Sequence, residues 1–233
     1  MSNILAKQDV HAQNLANAGT NGFKLGRLVN SAEVIIGRND EGELRQRELQ
    51  NPSEVRTSFS QGPMIHTGNN FDLALSNSGF FTVEGEQGPG YTRNGGLSVN
   101  AYGELVTLTG RRMLDDSGAP IIIKGDAVRF AEDGGIFVDG RRTGTLAIVD
   151  FPDKGKLRYG EDGLFRNSDP DGNPASSPVP VQLTSGFLEG SNVDTISTMV
   201  NMIADFRNYE ADQKAFHAVD ETLRKAVNEV GRI

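Results

Sequence analysis

The chain has 233 residues, enough for one large domain or two small ones with a buried core. Its net charge of −8 and its lack of clustered Lys and Arg argue against a nucleic-acid partner or an acidic membrane surface. Cysteine is absent, which excludes disulfides, thiolate metal sites and a cysteine nucleophile.

Neither a membrane span nor a cleaved signal peptide is predicted. No stretch approaches the ~20 apolar residues that cross a bilayer. The N-terminus lacks the basic region and apolar core that a Sec signal peptide requires. If the protein leaves the cytoplasm, we expect it to use another route of export.

Residues 3–18 predict a short N-terminal helix. Its apolar positions are Ile4, Leu5, Val10 and Leu15. The cluster Gly19-Thr20-Asn21-Gly22 marks its end, because these residues tolerate positive φ. A helix of ~15 residues is marginal alone in water, so this one needs a partner helix. We assign residues 1–24 to the first part of a helical domain.

Residues 25–60 carry mixed signals and predict a connector. Val34-Ile35-Ile36 is compatible with a strand, and Asn39-Asp40-Glu41-Gly42 with a turn. The charged segment 43–54 contains Asn51-Pro52 and is expected to be a mobile link.

Residues 61–187 predict a β-rich outer domain built like a sandwich or barrel. Short apolar or alternating runs are separated by Gly-, Asn- and Asp-containing turns, the pattern of an all-β domain. The runs are Phe80-Phe81-Thr82-Val83, Leu97-Ser98-Val99, Ile121-Ile122-Ile123, Val128-Arg129-Phe130, Ile136-Phe137-Val138 and Leu146-Ala147-Ile148.

Residues 188–233 contain the longest helical pattern, with no proline after Val193 and one glycine, Gly231. Apolar residues recur at three- and four-residue spacing, with two polar members in the same seam. The seam consists of Met199, Met202, Phe206, Tyr209, Gln213, Phe216, Asp220, Leu223, Val227 and Val230. Such a heptad seam predicts a helix that packs along another helix. The N-terminal helix, through residues such as Leu15, is the obvious partner.

Two further expectations concern this C-terminal helix. Charged residues between the seam positions, among them Asp205 and Glu210, are expected on a solvent-exposed face. Ser191 or Asn192 is expected as the N-cap, which leaves Asp194 in the first turn, where it favours the helix dipole.

No active site, cofactor site or metal site is visible in the sequence. His11, His66 and His217 are far apart; His11 and His217 could meet if the terminal helices pair, but an interface histidine is favoured over a ligand site. Asp169-Pro170-Asp171-Gly172-Asn173 lacks the Gly and Glu placement of an EF-hand loop and is interpreted as a solvated turn. The serines form no nucleophile elbow.

Two segments carry a resemblance to a known family. Residues 13–24 resemble the N-terminal signature of the axial proteins of the bacterial flagellum, the rod and hook family. The matching residues are Asn14, Asn17, Thr20, Gly22, Phe23 and Lys24. Gln13 departs from the Asn usual there. Leu188-Glu189-Gly190-Ser191-Asn192-Val193-Asp194 is similar to the family's C-terminal motif and supplies Ser191, Asn192 and Val193.

The resemblance extends through the middle of the chain, for example in Asp72-Leu73-Ala74-Leu75 and Tyr91-Thr92-Arg93-Asn94-Gly95. Family members usually carry about a dozen more residues before the N-terminal signature, so either the start at Met1 is misassigned or the first helix is shorter here. The short middle domain resembles rod rather than hook members. The segment 160–166 is similar to a stretch typical of proximal rod members, and a distal rod or hook-type subunit stays an alternative.

The resemblance implies a structural subunit of the flagellar basal-body rod and no enzyme. The terminal helices would polymerise helically with copies of the chain and with other rod proteins, or the hook, to form a hollow drive shaft that transmits torque. It further implies export by the flagellar type III apparatus without a cleaved signal peptide, and a position spanning the periplasm.

Two hypotheses of different classes remain open. In the first, the chain is the rod subunit that the resemblance implies, and Gln213 and Asp220 set the register of the seam or bind neighbours, so replacing both with Leu should alter assembly. In the second, the chain is a β-rich binding or enzymatic domain whose helical tail forms a defined dimer.

Overall fold

The computed structural model describes residues 2–29, 32–38, 44–50, 54–86, 88–160, 162–176 and 181–230. Helix α1 spans Ser2–Ala16 and helix α2 spans Thr195–Val230, with only strands and one short 3₁₀ turn described between them. The mixed, mainly β fold class with a helix at each end is therefore confirmed. Neither helix is long and apolar enough to cross a membrane.

The strands are short, as expected from the spacing of turn residues. They are β1 (Gly26–Val29), β2 (Ala32–Arg38), β3 (Leu44–Gln50), β4 (Glu54–Thr57), β5 (Met64–His66), β6 (Leu73–Leu75), β7 (Phe80–Gly85), β8 (Gly88–Thr92), β9 (Leu97–Val99), β10 (Leu105–Thr107), β11 (Val128–Phe130), β12 (Gly135–Val138), β13 (Arg141–Thr145), β14 (Ile148–Val149), β15 (Leu157–Tyr159), β16 (Phe165–Asn167), β17 (Leu183–Ser185) and β18 (Phe187–Glu189).

The largest sheet has five strands in the order β14-β7-β8-β16-β15, and every neighbouring pair in it is antiparallel. A second sheet has the order β11-β12-β13. The remaining described strands form two-stranded sheets, among them β17-β6 and β18-β5. These small sheets do not close into a barrel within the described residues.

The chain divides into two compact units. The first, called here the helical unit, consists of Met1–Ala16, Gly26–Arg56 and Asp194–Ile233. The second, called the β unit, consists of Asn17–Leu25 and Thr57–Val193. The chain therefore first enters the β unit directly after α1, returns to the helical unit for Gly26–Arg56, and leaves the β unit for the last time directly before α2.

Aromatic residues form a core cluster in the β unit. Phe80 and Phe165 are fully buried with ring centroids 5.7 Å apart, and Phe59 packs edge-on to Phe80 at 5.5 Å. Tyr91 lies 4.8 Å from Phe151 in the same cluster. Burying each Phe side chain stabilises the fold by roughly 1.5–3 kcal/mol, so this cluster is a major source of stability.

The segment predicted as a connector instead contains four strands. Strand β2 pairs with β3 along its whole length, from Ala32 opposite Gln50 to Arg38 opposite Leu44. The β-branched run in β2 favours an extended backbone, and a paired partner holds the charged β3 sequence extended as well. The predicted turn 39–42 and the Asn51-Pro52 pair lie outside the described residues.

Two of the predicted strands differ in the structure. Residues 121–123 do not form a continuous strand. They still make isolated ladder-like bonds: Ile121 O accepts from Leu105 N at 2.9 Å, and Ile123 N donates to Gly103 O at 2.7 Å. Pro120 directly before them lacks the N–H group that a longer ladder needs. The run at 146–148 contributes only its last residue, Ile148, to β14.

Helix α2 begins later than expected, and its N-cap is Asp194 rather than Ser191 or Asn192. Asp194 Oδ1 accepts from the backbone N–H of Ile196 at 3.1 Å and of Ser197 at 3.3 Å. Oδ2 accepts from the Ser197 hydroxyl at 2.6 Å. The Ser197 hydroxyl, followed by these backbone N–H groups, holds the pKa of Asp194 below its usual value.

We predict that the start of α2 loosens in acid because of Asp194. A carboxyl whose pKa is lower in the folded state stabilises that state above its ordinary pKa. This stabilisation is lost as the pH falls through the folded-state pKa. Hydrogen exchange at the Ile196 and Ser197 amides should therefore rise, relative to intrinsic exchange, as the pH falls below about 4.

Asp194→Asn is the matched control for this prediction. Asparagine keeps a capping oxygen but does not titrate, so the acid-dependent rise in exchange should disappear. The same pH dependence in the Asn variant would show that another group is responsible.

Candidate assembly site

Within the helical unit, α1 packs against α2. His11 Nε2 on α1 lies 3.3 Å from Asp205 Oδ2 on α2, and both side chains are largely buried. His11 therefore does not meet His217, which is exposed. An apolar groove runs along the contact, lined by Gln8, Asp9, Ala12, Met202, Ile203 and Phe206.

The side of α2 that is shielded from solvent is offset from the predicted seam. Its shielded residues are Thr198, Met202, Asp205 and Tyr209, and the other side chains described on α2 are exposed. Asp205, expected on the solvent-exposed face, thus pairs with His11. Six predicted seam residues are exposed instead, namely Met199 (46%), Phe206 (54%), Gln213, Phe216, Asp220 and Leu223. Residue spacing defines a stripe but cannot locate the partner within a stripe about 100° wide.

The two helices differ greatly in length. Helix α1 has 15 residues and α2 has 36, which correspond to about 22 and 54 Å of helix. Leu15 on α1 is half-buried, whereas every side chain described from residue 210 to residue 225 of α2 is exposed. The side chain of Val227 lies outside the described residues.

The polar seam residues have partners inside their own helix. Gln213 Nε2 donates to the Tyr209 hydroxyl at 2.9 Å. Asp220 Oδ2 lies 3.4 Å from Arg224 Nε. Both side chains are exposed in the described part of the chain, so their predicted role in register stays a prediction.

Exposed apolar side chains form two patches along α2. The first, near its start, consists of Ile196, Met199, Val200, Ile203 and Phe206. The second consists of Phe216, Val219 and Leu223, at spacings of three and four. A contiguous apolar surface on a single chain marks an interaction site. These two patches, with the α1–α2 groove, are the candidate assembly surface.

In the β unit, the entering and leaving segments of the chain meet at a buried ion pair. Lys24 Nζ donates to Glu189 Oε1 at 2.5 Å and to Ser60 O at 2.8 Å. Both charged side chains are fully buried. Burial lowers the pKa of the Lys24 ammonium, and the hydrogen bond to Glu189 opposes that effect.

Glu189 binds two further donors. Gly62 N donates to Oε1 at 3.0 Å, and Arg93 Nη1 donates to Oε2 at 3.3 Å. Arg93 also donates to Asn77 O at 2.9 Å, and its guanidinium lies 5.4 Å from the centre of the Phe80 ring. One carboxylate therefore neutralises two buried cations, although burial still lowers the pKa of Arg93.

The side-chain amide of Asn192 joins its own segment to Leu25 and to the segment that contains Ser58 and Ser60. Its Oδ1 accepts from Leu25 N at 2.7 Å, and its Nδ2 donates to Ser58 O and Ser60 O, each at 2.9 Å. This explains why Asn192 does not cap α2: its side chain is used by the β unit. We call Lys24, Glu189, Arg93 and Asn192 the clasp.

Gly22 allows the clasp to close. Its N–H donates to Glu189 O at 2.7 Å with φ of 73°. A Cβ there would lie 2.3 Å from Asn94 N, so no other residue fits. Beside it, the buried Phe23 ring packs edge-on to Tyr159 with centroids 5.3 Å apart.

The remaining signature residues shape the turns on either side. Thr20 Oγ1 donates to Asn17 Oδ1 at 3.2 Å, and Thr20 N donates to Asn17 O at 3.0 Å, after the end of α1. Ser191 Oγ accepts from Val193 N at 3.2 Å before α2 begins.

Asn14 has a separate role within the helical unit. The side chain is buried, and its Nδ2 donates to Gly26 O at 2.8 Å. Its Oδ1 accepts from Gly26 N at 2.9 Å. One amide thus satisfies both backbone groups of the first residue of β1, as a neighbouring strand would.

Sequence reasoning did not identify Arg93 and Glu189 as site residues. Both lie within segments that carry the family resemblance, but 96 positions separate them. A lone Glu or Arg in a short strand normally predicts an exposed side chain. The signal in the sequence that could have identified them was the family motif, because a charged residue at the end of an apolar strand is unusual.

Among the described residues, no three His, Asp or Glu side chains are grouped to hold a metal ion. Asp169 and Gly172 close a turn, with Gly172 N donating to Asp169 Oδ1 at 3.2 Å. The arrangement provides a buried, hydrogen-bonded clasp and an apolar helical surface.

Comparisons with known proteins agree with the motifs. The family model for the flagellar basal body rod FlgEFG protein C-terminal region matches residues 184–229. The model for the flagellar hook protein FlgE/F/G D1 domain matches residues 74–138. The first includes the C-terminal motif and most of α2, and the second includes Arg93.

Full-length relatives extend the similarity over nearly the whole chain. The flagellar basal-body rod protein FlgF of Caulobacter vibrioides is 34% identical, across 97% of this chain and 92% of that protein. FlgF of Escherichia coli is 32% identical over the same shares of each chain. The flagellar basal-body rod protein FlgG of Bacillus subtilis is 31% identical, across 98% of this chain and 95% of that protein.

We predict that Glu189→Gln destabilises the β unit by about 3–5 kcal/mol, because it leaves two buried cations without a counter-charge. Lys24→Met should have a smaller effect, since Glu189 keeps Arg93 and Gly62 N as donors. Urea unfolding measures both changes.

Asp133→Asn is the control for the Glu189 variant. Asp133 lies 3.2 Å from Arg142, but both side chains are at least half exposed, so its loss should change stability little. Equal effects of the buried and the exposed substitution would contradict the assigned role of the clasp.

We also predict that Asn14→Ala leaves Gly26 N and O unpaired and destabilises the helical unit by about 1–3 kcal/mol. Hydrogen exchange of the Gly26 amide should accelerate. In Asn14→Asp the acceptor oxygen is kept, so the Gly26 amide should stay protected; equal acceleration in both variants would argue against this bond.

Proposed function

This chain belongs to the flagellar basal-body rod protein family, and we propose that it is a structural subunit of the rod. It polymerises with copies of itself and with other rod proteins into the hollow shaft that transmits torque from motor to hook. The observation that carries this proposal is the exposed apolar surface of α2, which the chain's own α1 leaves uncovered.

The energetics favour an assembly over a single pairwise contact. Eight large apolar side chains on α2 are roughly half exposed or more. Covering each of these side chains stabilises a complex by about 1 kcal/mol. Association costs about 4–15 kcal/mol in lost translational and rotational freedom. One partner that covers part of this surface gives a marginal complex. Several neighbours at once, in a head-to-tail arrangement that does not close, give a helical polymer.

The clasp suits a subunit that carries load. Torque on either terminal helix reaches the β unit through the segments that enter and leave it. Lys24 and Glu189 join these segments by a buried ion pair, and Asn192 joins them again at Leu25 N. Pulling on one segment is therefore resisted by the other.

We place the subunit in the proximal rod, supported by the FlgF relatives and by the segment 160–166. A distal position is the second candidate, supported by the FlgG relative, which covers a similar share of the chain. As a rod component it resides in the basal body and crosses the periplasm. The flagellar type III apparatus exports it without signal cleavage, and it performs no catalysis.

We predict that Phe206→Gln combined with Phe216→Gln impairs rod assembly without destabilising the isolated chain, because both rings are exposed there, by 54% and 67%. Complementation of a strain that lacks this protein should give reduced swimming. Purified protein should sediment as monomer at concentrations where the parent chain associates.

Leu108→Gln is the matched control, since Leu108 is 70% exposed in the β unit. It removes a comparable apolar surface and should leave assembly unchanged. Normal assembly of the double variant would refute the role of α2, and a discrete dimer of the parent chain would favour the dimeric β-rich binding domain.

A further inference from the structure

The turn between β12 and β13 carries an unusual backbone. Val138 pairs with Arg141, so the hairpin closes with two residues, Asp139 and Gly140. Asp139 has φ of 50° and is the one non-glycine residue with positive φ in the described part of the chain. Gly140 follows with φ of 80°. Positive φ at both positions defines a type I′ turn, and holding an L-residue there costs conformational energy.

Among aspartates, one that is followed by glycine rearranges most readily to isoaspartate, because glycine has no side chain to hinder attack by its nitrogen. The Gly nitrogen attacks the Asp Cγ, and the N–H proton leaves with the hydroxyl of the protonated carboxyl as water. The resulting succinimide then hydrolyses at either carbonyl, which restores Asp or yields isoaspartate. No oxidant or cofactor is needed. The reaction requires a free glycine N–H, a mobile carboxyl and access to water.

Gly140 meets these requirements. Both turn residues are exposed, and a Cβ on Gly140 would meet no atom within 4 Å. No acceptor is bonded to Gly140 N among the described residues. The Asp139 carboxylate is held by a single long bond, from Ala127 N at 3.2 Å.

The other Asp-Gly pairs do not meet them, because in each the glycine N–H is already bonded. Gly134 N donates to Ala131 O at 3.0 Å, and Gly163 N donates to Gly160 O at 3.1 Å. Gly172 N donates to Asp169 Oδ1 at 3.2 Å.

The two Asn-Gly pairs are also restrained. Gly22 N donates to Glu189 O at 2.7 Å, within the clasp. Gly95 is buried so tightly that a Cβ would lie 1.8 Å from Leu73 O. The local backbone at Asn94 therefore has no room to bring its side chain onto the following nitrogen.

We propose that Asp139 is the site at which this protein forms isoaspartate as it ages. The rearrangement inserts a methylene into the main chain of a two-residue turn and releases Asp139 from its left-handed conformation. The β12–β13 hairpin loses its tight closure, so the change is confined to one edge of the three-stranded sheet.

The test is to incubate the purified full chain at physiological temperature and near-neutral pH and to map its peptides by electron-transfer mass spectrometry. Isoaspartate should appear at Asp139 at least about fivefold faster than at the other Asp-Gly pairs, each of which must first break a hydrogen bond. A transient product lighter by one water should precede it at the same site.

Asp139→Asn provides a second measurement. Asparagine tolerates the left-handed turn and loses ammonia more readily than aspartate loses water, so the rearrangement should accelerate at this position alone. Equal rates at all four Asp-Gly pairs, or no acceleration in the Asn variant, would overturn the assignment. Both readouts are independent of rod assembly and therefore of the proposed function.

Discussion

The closure of the β unit depends on one buried carboxylate, that of Glu189. Strand β18 places it opposite Met64, and its oxygens accept from Lys24, Arg93 and Gly62 N. A buried ion pair rarely stabilises a fold more than apolar residues of the same size, because desolvation offsets the attraction. Its value here lies in register. A one-residue slip of β18 would turn the carboxylate to the opposite face and leave two cations buried without a counter-charge.

The helical unit differs, because α1 leaves much of the apolar surface of α2 uncovered within a single chain. About 22 Å of α1 cannot cover about 54 Å of α2, whichever way the two run. The shielded stripe ends at Tyr209, and the apolar patches continue to Leu223. Hydrophobic attraction has little direction, so in the proposed assembly these patches would supply affinity for neighbours but would not by themselves choose the alignment.

The sequence predicted the elements with strong periodicity and missed the contacts that need tertiary structure. The heptad spacing predicted α2 to within a few residues, and turn residues such as Gly22 predicted where α1 ends. The charged strand β3 was not predicted, because its extended state comes from pairing with β2 rather than from its own composition. The offset of α1 on α2 was missed for a similar reason, since His11 selects Asp205 through a contact that no spacing encodes.

The candidate site divides in the same way. Its signature residues were found as a motif, and the structure shows why two of them are Asn: Asn14 and Asn192 each use both ends of an amide to replace backbone partners. Glycine and asparagine in a motif indicate the local backbone geometry, which a short stretch of sequence can predict. Arg93 instead contacts Glu189, which lies 96 positions further along the chain, and a short motif cannot predict such a contact.

The two polar residues of the predicted seam bear on how neighbouring subunits would align along α2. Gln213 and Asp220 would weaken an interface if they were buried without partners, yet each is already bonded within α2, to Tyr209 and to Arg224. A seam that carries its own polar partners can stay in water before assembly without exposing a continuous apolar line. On assembly, only an alignment that preserves or replaces those bonds avoids an unsatisfied polar group. We therefore propose that the apolar patches set how strongly neighbours bind and that the two polar residues restrict where along α2 they do so.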